Sequence, residues 1–182
     1  MQQTNISAFR QESVSKFAQG KAAKRYVPFI SKTNMTLSFG DIFEIKTVTG
    51  HGYLQYVDKT ALGVELIRVL DFVNTDIKQD DVNRPERWNT EFTLKAAVTK
   101  KLVAKIGKFD IPNYYKIPEF ARTTHNVRGE FKGWHIVNRK TLQRELKAQL
   151  TNDDLKLSPY GIMNDTLIKE YLDSNWRLEN WK

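Results

Sequence analysis

Between residues 39 and 72 the chain alternates side-chain character with period two in three successive runs. The first, from Phe39 to Val48, sets Phe39, Asp41, Phe43 and Ile45 on one face of an extended chain, with Ile42 and Glu44 on the other. A turn at Gly50-His51-Gly52 leads into a second run, Tyr53 to Val57, and Gly63 opens a third, from Val64 to Phe72. Glycine turns this short can join only antiparallel neighbours, because a parallel pair needs a long crossover. The pattern therefore predicts a β-meander, strongly twisted or barrel-like, near the start of an α+β fold.

The signals that follow are weaker. Residues 74–89 are polar and rich in Asp, and with Arg84-Pro85 they predict a connecting loop ending at Trp88. Residues 91–109 suit either a helix, through Ala, Leu and Lys, or strands, through Val and Thr. The reading taken is strands. The Tyr114-Tyr115 pair with Pro118 and Phe120 predicts an extended ribbon, and Gly133 to Asn138 a strand. Leu142, Leu146 and Leu150, four residues apart, predict a helix, and a second is expected from Asn164 with Leu167, Ile168, Tyr171 and Leu172 on one face. The chain is thus expected to place its sheet first and one or two helices last.

Residues 1–37 read as a basic leader, a short helix capped by Ser7 and carrying Phe9, Val14 and Phe17, then an extended arm past Gly20 and Pro28. Residues 38–182 then make a single domain, a length that one hydrophobic core can serve. With no cysteine in 182 residues, disulfides, thiol nucleophiles and cysteine-bound metal are excluded. No run approaches the roughly 18 apolar residues of a membrane span, and the first residues lack the apolar stretch of a signal peptide. A cytoplasmic location without membrane attachment is expected.

Catalytic patterns find little support. His51, His125 and His135 are separated in sequence without any metal-ligand spacing, so no metal, cofactor or catalytic residue is expected. Glu44 and Lys46 form an E-x-K of the kind that nucleases use, but residues 1–40 hold no aspartate to complete it. The pair reads instead as the solvent face of an edge strand. Neither phosphate-binding glycine motif occurs. A protein without enzymatic activity is the expectation.

The formal charge of +8 is unevenly spread: +5 over residues 1–39, −4 over 40–94, +9 over 95–147 and −2 over 148–182. The basic middle interleaves its lysines and arginines with Phe109, Tyr114, Tyr115, Phe120, Phe131 and Trp134. Such a mixture suits an acidic protein partner, or single-stranded nucleic acid held by phosphate contacts and stacking. Tryptophan and arginine dominate interface hot spots. The partner-binding candidates are accordingly Trp88, Arg122, Arg128, Trp134, His135, Arg139, Lys140, Trp176 and Trp181.

Several short segments, in order, also carry a resemblance. They are Gly40 to Ile45, Gly52 to Val57, Lys105-Ile106-Gly107 with Ile111-Pro112, Pro118-Glu119-Phe120, Gly133 to Val137, and Asn164 to Ile168 with Trp176. Over residues 38–178 this order resembles the immunity protein 26 family. The resemblance implies a cytoplasmic, mainly β or α+β protein that shields a bacterium by binding the toxin domain of a polymorphic or contact-dependent toxin. A nucleic-acid-binding accessory protein is the alternative reading.

Overall fold

The chain divides into residues 1–34 and 35–182. The computed structural model describes residues 36–74 and 76–181, all within the second unit. The expected leader helix and arm lie outside the described residues.

The predicted meander forms as β1 (Asp41–Lys46), β2 (His51–Lys59) and β3 (Glu65–Asn74), each antiparallel to the last. Two further strands, β4 (Glu86–Glu91) and β5 (Ala104–Lys108), extend it to a five-stranded sheet of order β4-β3-β2-β1-β5. The outer strands β4 and β5 do not meet, so the sheet stays open and is not a barrel. Register shifts in each of the pairs β1/β5, β2/β3 and β3/β4 add local twist without closing it. Placement inside this sheet also corrects the reading of Glu44 and Lys46. β1 is flanked on both sides, and Glu44 pairs with His51 on β2. The exposed edge strand is β5.

Both faces of the sheet are covered, so β2 and β3 read as almost continuous buried runs rather than clean alternations. On one face Phe43, Ile45, Leu54, Ile67, Val69 and Trp88 build the main core under two helices, α2 (Leu94–Thr99) and α3 (Asp165–Asp173). α3 begins where the sequence places it. Asn164 caps it, its side-chain oxygen accepting the Leu167 amide at 2.8 Å, and Ile168 and Leu172 are buried. Gly52 is required by this packing, because a Cβ there would lie 2.4 Å from Leu172 Cδ1. On the opposite face Ile42, Tyr53, Leu70 and Val82 form a smaller cluster beside α1 (Gln79–Val82). Buried Arg68 anchors that side, donating to Gln55 Oε1 at 2.8 Å, to Glu86 Oε2 at 3.2 Å and to the Arg84 carbonyl at 2.9 Å. The Tyr115 ring covers its guanidinium at 4.8 Å.

Three segment readings are corrected. Residues 74–89 are not an unstructured connection, since they contain α1 and the start of β4. Residues 91–109 are neither two strands nor one helix: α2 buries Leu94 and Ala97, Lys101 turns the chain with φ 58°, and β5 follows. The leucine series after residue 141 is not helical. Arg144–Lys147 is a strand, β8, and Leu142 lies in the preceding turn with φ 63°. The turn is set by Asn138, whose side-chain oxygen accepts the amides of Lys140 and Thr141 at 2.9 Å each. This side-chain turn overrides the leucine spacing, and Leu142 and Leu146 remain exposed.

β8 belongs to a second antiparallel sheet, β6 (Phe120–Val127), β7 (Glu130–Asn138) and β8 in that order. It is joined to the β4 side of the first sheet. Residues 158–163 run between them, bridging Arg122 on one side and Glu91 on the other, and the Asn89 amide donates to Ser158 Oγ at 2.9 Å. The architecture is α+β with two antiparallel sheets and few helices.

Candidate partner-binding face

The nine candidate residues separate into an internal group and an external one. Arg122 is fully buried on β6. It donates to the carbonyls of Leu157 and Leu155 at 3.2 Å each and of Leu178 at 2.6 Å. Its guanidinium packs against the rings of both Trp134 and Trp181, 5.1 and 4.9 Å from their centroids, where the two rings meet edge to face. Burial pulls its pKa down, against the opposing charges of Asp154 and Glu179.

The four tryptophans form one continuous aromatic series. Trp134 meets Trp181 at 5.0 Å, Trp181 meets Trp176 at 6.4 Å, and Trp176 meets Trp88 at 5.4 Å. Tyr171 stacks on Trp176 at 4.3 Å. Trp88 and Trp134 are buried, and Trp176 and Trp181 are half-buried. The segment after α3 is therefore docked, and its tryptophans link the second sheet to the main core. Arg177 and Arg87 hold it further by sharing Asp71, at 2.6 and 2.9 Å.

Arg139 is internal as well. It pairs with buried Glu91 at 3.1 Å and donates to the Pro159 carbonyl at 3.0 Å, closing the second sheet against β4. Burial lowers the Arg139 pKa and raises that of Glu91, whose shift Arg139 opposes. Of the hot-spot candidates, Trp88, Arg122, Trp134 and Arg139 are committed by burial to the chain's own packing. Trp176 and Trp181 are committed to the aromatic series.

Arg128, His135 and Lys140 remain outward. Arg128 and Gly129, with φ 53° and 85°, form the two-residue turn between β6 and β7. Exposed Val127 and Phe131 flank it, and Phe131 rests against Trp134 at 5.5 Å. His135 lies mid-sheet. The register sets Thr123 and Leu146 opposite it, with Arg144 next along β8 on the same face. Among the described residues Arg128, Lys140 and Arg144 make no ion pair. Arg144 lies over the Tyr160 ring at 5.7 Å, and the charges of Arg128 and Lys140 are available for an external anion. Beside Lys140 opens a groove of about 590 Å³, lined by Lys59, Leu66, Ile117, Pro118 and Glu119 among others.

Arg144 and Leu146 are absent from the candidates because the leucine spacing points to a helix there; with Leu146 the one apolar residue of Arg144–Lys147, no period-two alternation marks the strand, which pairing with β7 sets. The basic middle is not one stripe either. Lys105 and Lys108 lie on β5 at the far edge of the first sheet, four strand spacings, or about 19 Å, from the edge that carries the second sheet. No group of three or more His, Cys, Asp or Glu side chains placed to hold a metal occurs among the described residues. None of their helices is long and apolar enough to cross a membrane. Compared with family models, curated proteins and solved structures, the chain matches none.

Proposed function

We propose that this protein is a non-enzymatic binding module, a bacterial immunity protein that neutralises a cognate polymorphic or contact-dependent toxin in the cytoplasm by stoichiometric contact. The observation that carries the binding reading is the combination of unpaired cations, Arg128, Lys140 and Arg144, with exposed Phe131 and Leu146 on the second sheet. Apolar anchors set among charges give a protein interface its affinity and its rate of encounter. The groove beside Lys140 offers a recess for an anchoring side chain of the partner. The toxin assignment comes from the family resemblance. The contacted region of the toxin is acidic, because this face would repel a basic one.

Protein is favoured over nucleic acid by a specific arrangement. Of the middle segment's aromatic residues, Trp134 is buried on Arg122, and Tyr115 covers Arg68 while donating its hydroxyl to Asn89 at 2.7 Å. Two of the rings expected to stack with bases are thus occupied.

The test is affinity capture on the full chain from the native cell, with and without nuclease, followed by kinetics on the captured partner. A stoichiometric toxin partner should survive nuclease. The variant carrying Arg128→Glu, Lys140→Glu and Arg144→Glu should then associate about tenfold more slowly at low salt, the gap closing as salt rises. Binding lost entirely on nuclease treatment assigns the protein to nucleic acid. An unchanged on-rate in the triple variant removes this face from the contact.

A further inference from the structure

His125 and His135, ten residues apart in sequence, lie on one face of the second sheet with ring centroids 4.5 Å apart. The register explains how they meet. His125 is opposite Gly133 and His135 opposite Thr123, so the two histidines are diagonal neighbours on adjacent strands. Gly133 is fixed by close packing: its φ is 139°, and a Cβ would lie 2.5 Å from the Lys147 carbonyl oxygen. Both rings are half-buried, and neither makes a hydrogen bond to a described residue.

We propose that His125 and His135 chelate one divalent transition-metal ion of the class that prefers imidazole in tetragonal geometry, Cu²⁺ or Ni²⁺. A metal held through a ring nitrogen at about 2.1 Å stands about 3.2 Å from the ring centroid. Two such rings at 90° have centroids about 4.5 Å apart, whereas tetrahedral ligation sets them about 5.2 Å apart. The observed 4.5 Å is short enough for one ion to bridge the two rings, whose planes are inclined by 43°. The remaining coordination positions face solvent and are open to water or to a donor from another molecule.

Desolvation, the neighbouring His125 and the cation of Arg144 hold the pKa of His135 below its ordinary value. Arg144 is the charged group facing the pair from β8. It weakens the ion's binding without occupying a ligand position. The site does not depend on the partner reading and is tested with the metal alone.

Ni²⁺ is titrated into the full chain by calorimetry at pH 7.5. One equivalent should bind, and His125→Phe and His135→Phe should each weaken it about a hundredfold as chelation is lost. The Phe at 125 keeps an aromatic ring at that position. His51→Phe should leave affinity unchanged. Cu²⁺ electron paramagnetic resonance of the unsubstituted chain should show coupling to two imidazole nitrogens, a readout that needs no variant to fold. Single variants that keep full affinity, two independent weak sites, or coupling to fewer than two nitrogens would overturn the proposal.

Discussion

Replacing Arg122 by methionine tests whether this buried cation holds the second sheet to the C-terminal segment. Methionine keeps most of the stem's packing but removes every donor, leaving the carbonyls of Leu155, Leu157 and Leu178 without this partner. Each charge-assisted hydrogen bond contributes about 1.5–3 kcal/mol, and each desolvated cation–π contact about 0.5–2 kcal/mol. Against these gains stands the desolvation of a guanidinium, several kcal/mol, which also shows in its lowered pKa. Its Nη1 has no hydrogen-bond partner among the described residues, so the cation is incompletely compensated. A net loss of about 3–4 kcal/mol follows for Arg122→Met. With a urea m-value of about 2 kcal/mol/M, the midpoint should fall by about 1.5–2 M. Tryptophan fluorescence is the natural probe, because Trp134 and Trp181 both contact the substituted group. Proteolysis should also release residues 176–181 faster than in the unsubstituted chain. A midpoint shift below about 0.5 M would refute the reasoning. So would a variant that folds normally but loses its partner, since Arg122 would then be a contact residue after all.

Two further outcomes follow from other ion pairs. Arg139→Met alone should cost about 3–5 kcal/mol by stranding buried Glu91, while the double variant Glu91→Leu with Arg139→Met should recover most of that loss; strictly additive effects in denaturation would show that the two side chains are not coupled. Burial alone would raise the pKa of Asp71, but hydrogen bonds from Arg177 and Arg87, with their charges, outweigh it and leave the carboxyl below its usual range. Its contribution to stability is therefore complete above the unfolded carboxyl pKa of about 3.9 and is lost as pH falls through the lower folded value. Asp71→Asn should lower stability at neutral pH and flatten the acid side of a melting-temperature profile between pH 2 and 7; an unchanged acid slope would remove Asp71 from that role.

Elements governed by near neighbours along the chain are legible in the sequence. The meander follows from period-two alternation and short glycine turns, and α3 from the Asn164 cap with apolar residues on one face. Residues 91–109 offer mixed propensities, and only packing resolves them, by burying Leu94 and Ala97 and pairing Ala104–Lys108 with β1. For Leu142, Leu146 and Leu150, helical spacing competes with turn chemistry, and the Asn138 turn with the pairing of β7 and β8 prevails.

The side chains best suited by type to a partner are the ones the tertiary structure turns inward. Tryptophan and arginine mark interfaces because they bring large apolar area and several donors, and the same properties suit them to joining two sheets inside one chain. Residue type is a property of the sequence, whereas burial is set by what folds over the residue. Trp88, Trp134, Trp176 and Trp181 meet through contacts spanning nearly a hundred residues, and Arg122 finds its acceptors around residues 155 and 178. The approach of His125 to His135 depends likewise on strand register, because a one-residue slip would send one ring to the opposite face. Alternation, capping and residue charge, all local along the chain, settle the strands of the meander, the final helix and the uneven distribution of charge. The tertiary structure alone decided which cations remained outside, because each long-range contact that buries a polar group needs a partner brought from elsewhere in the chain.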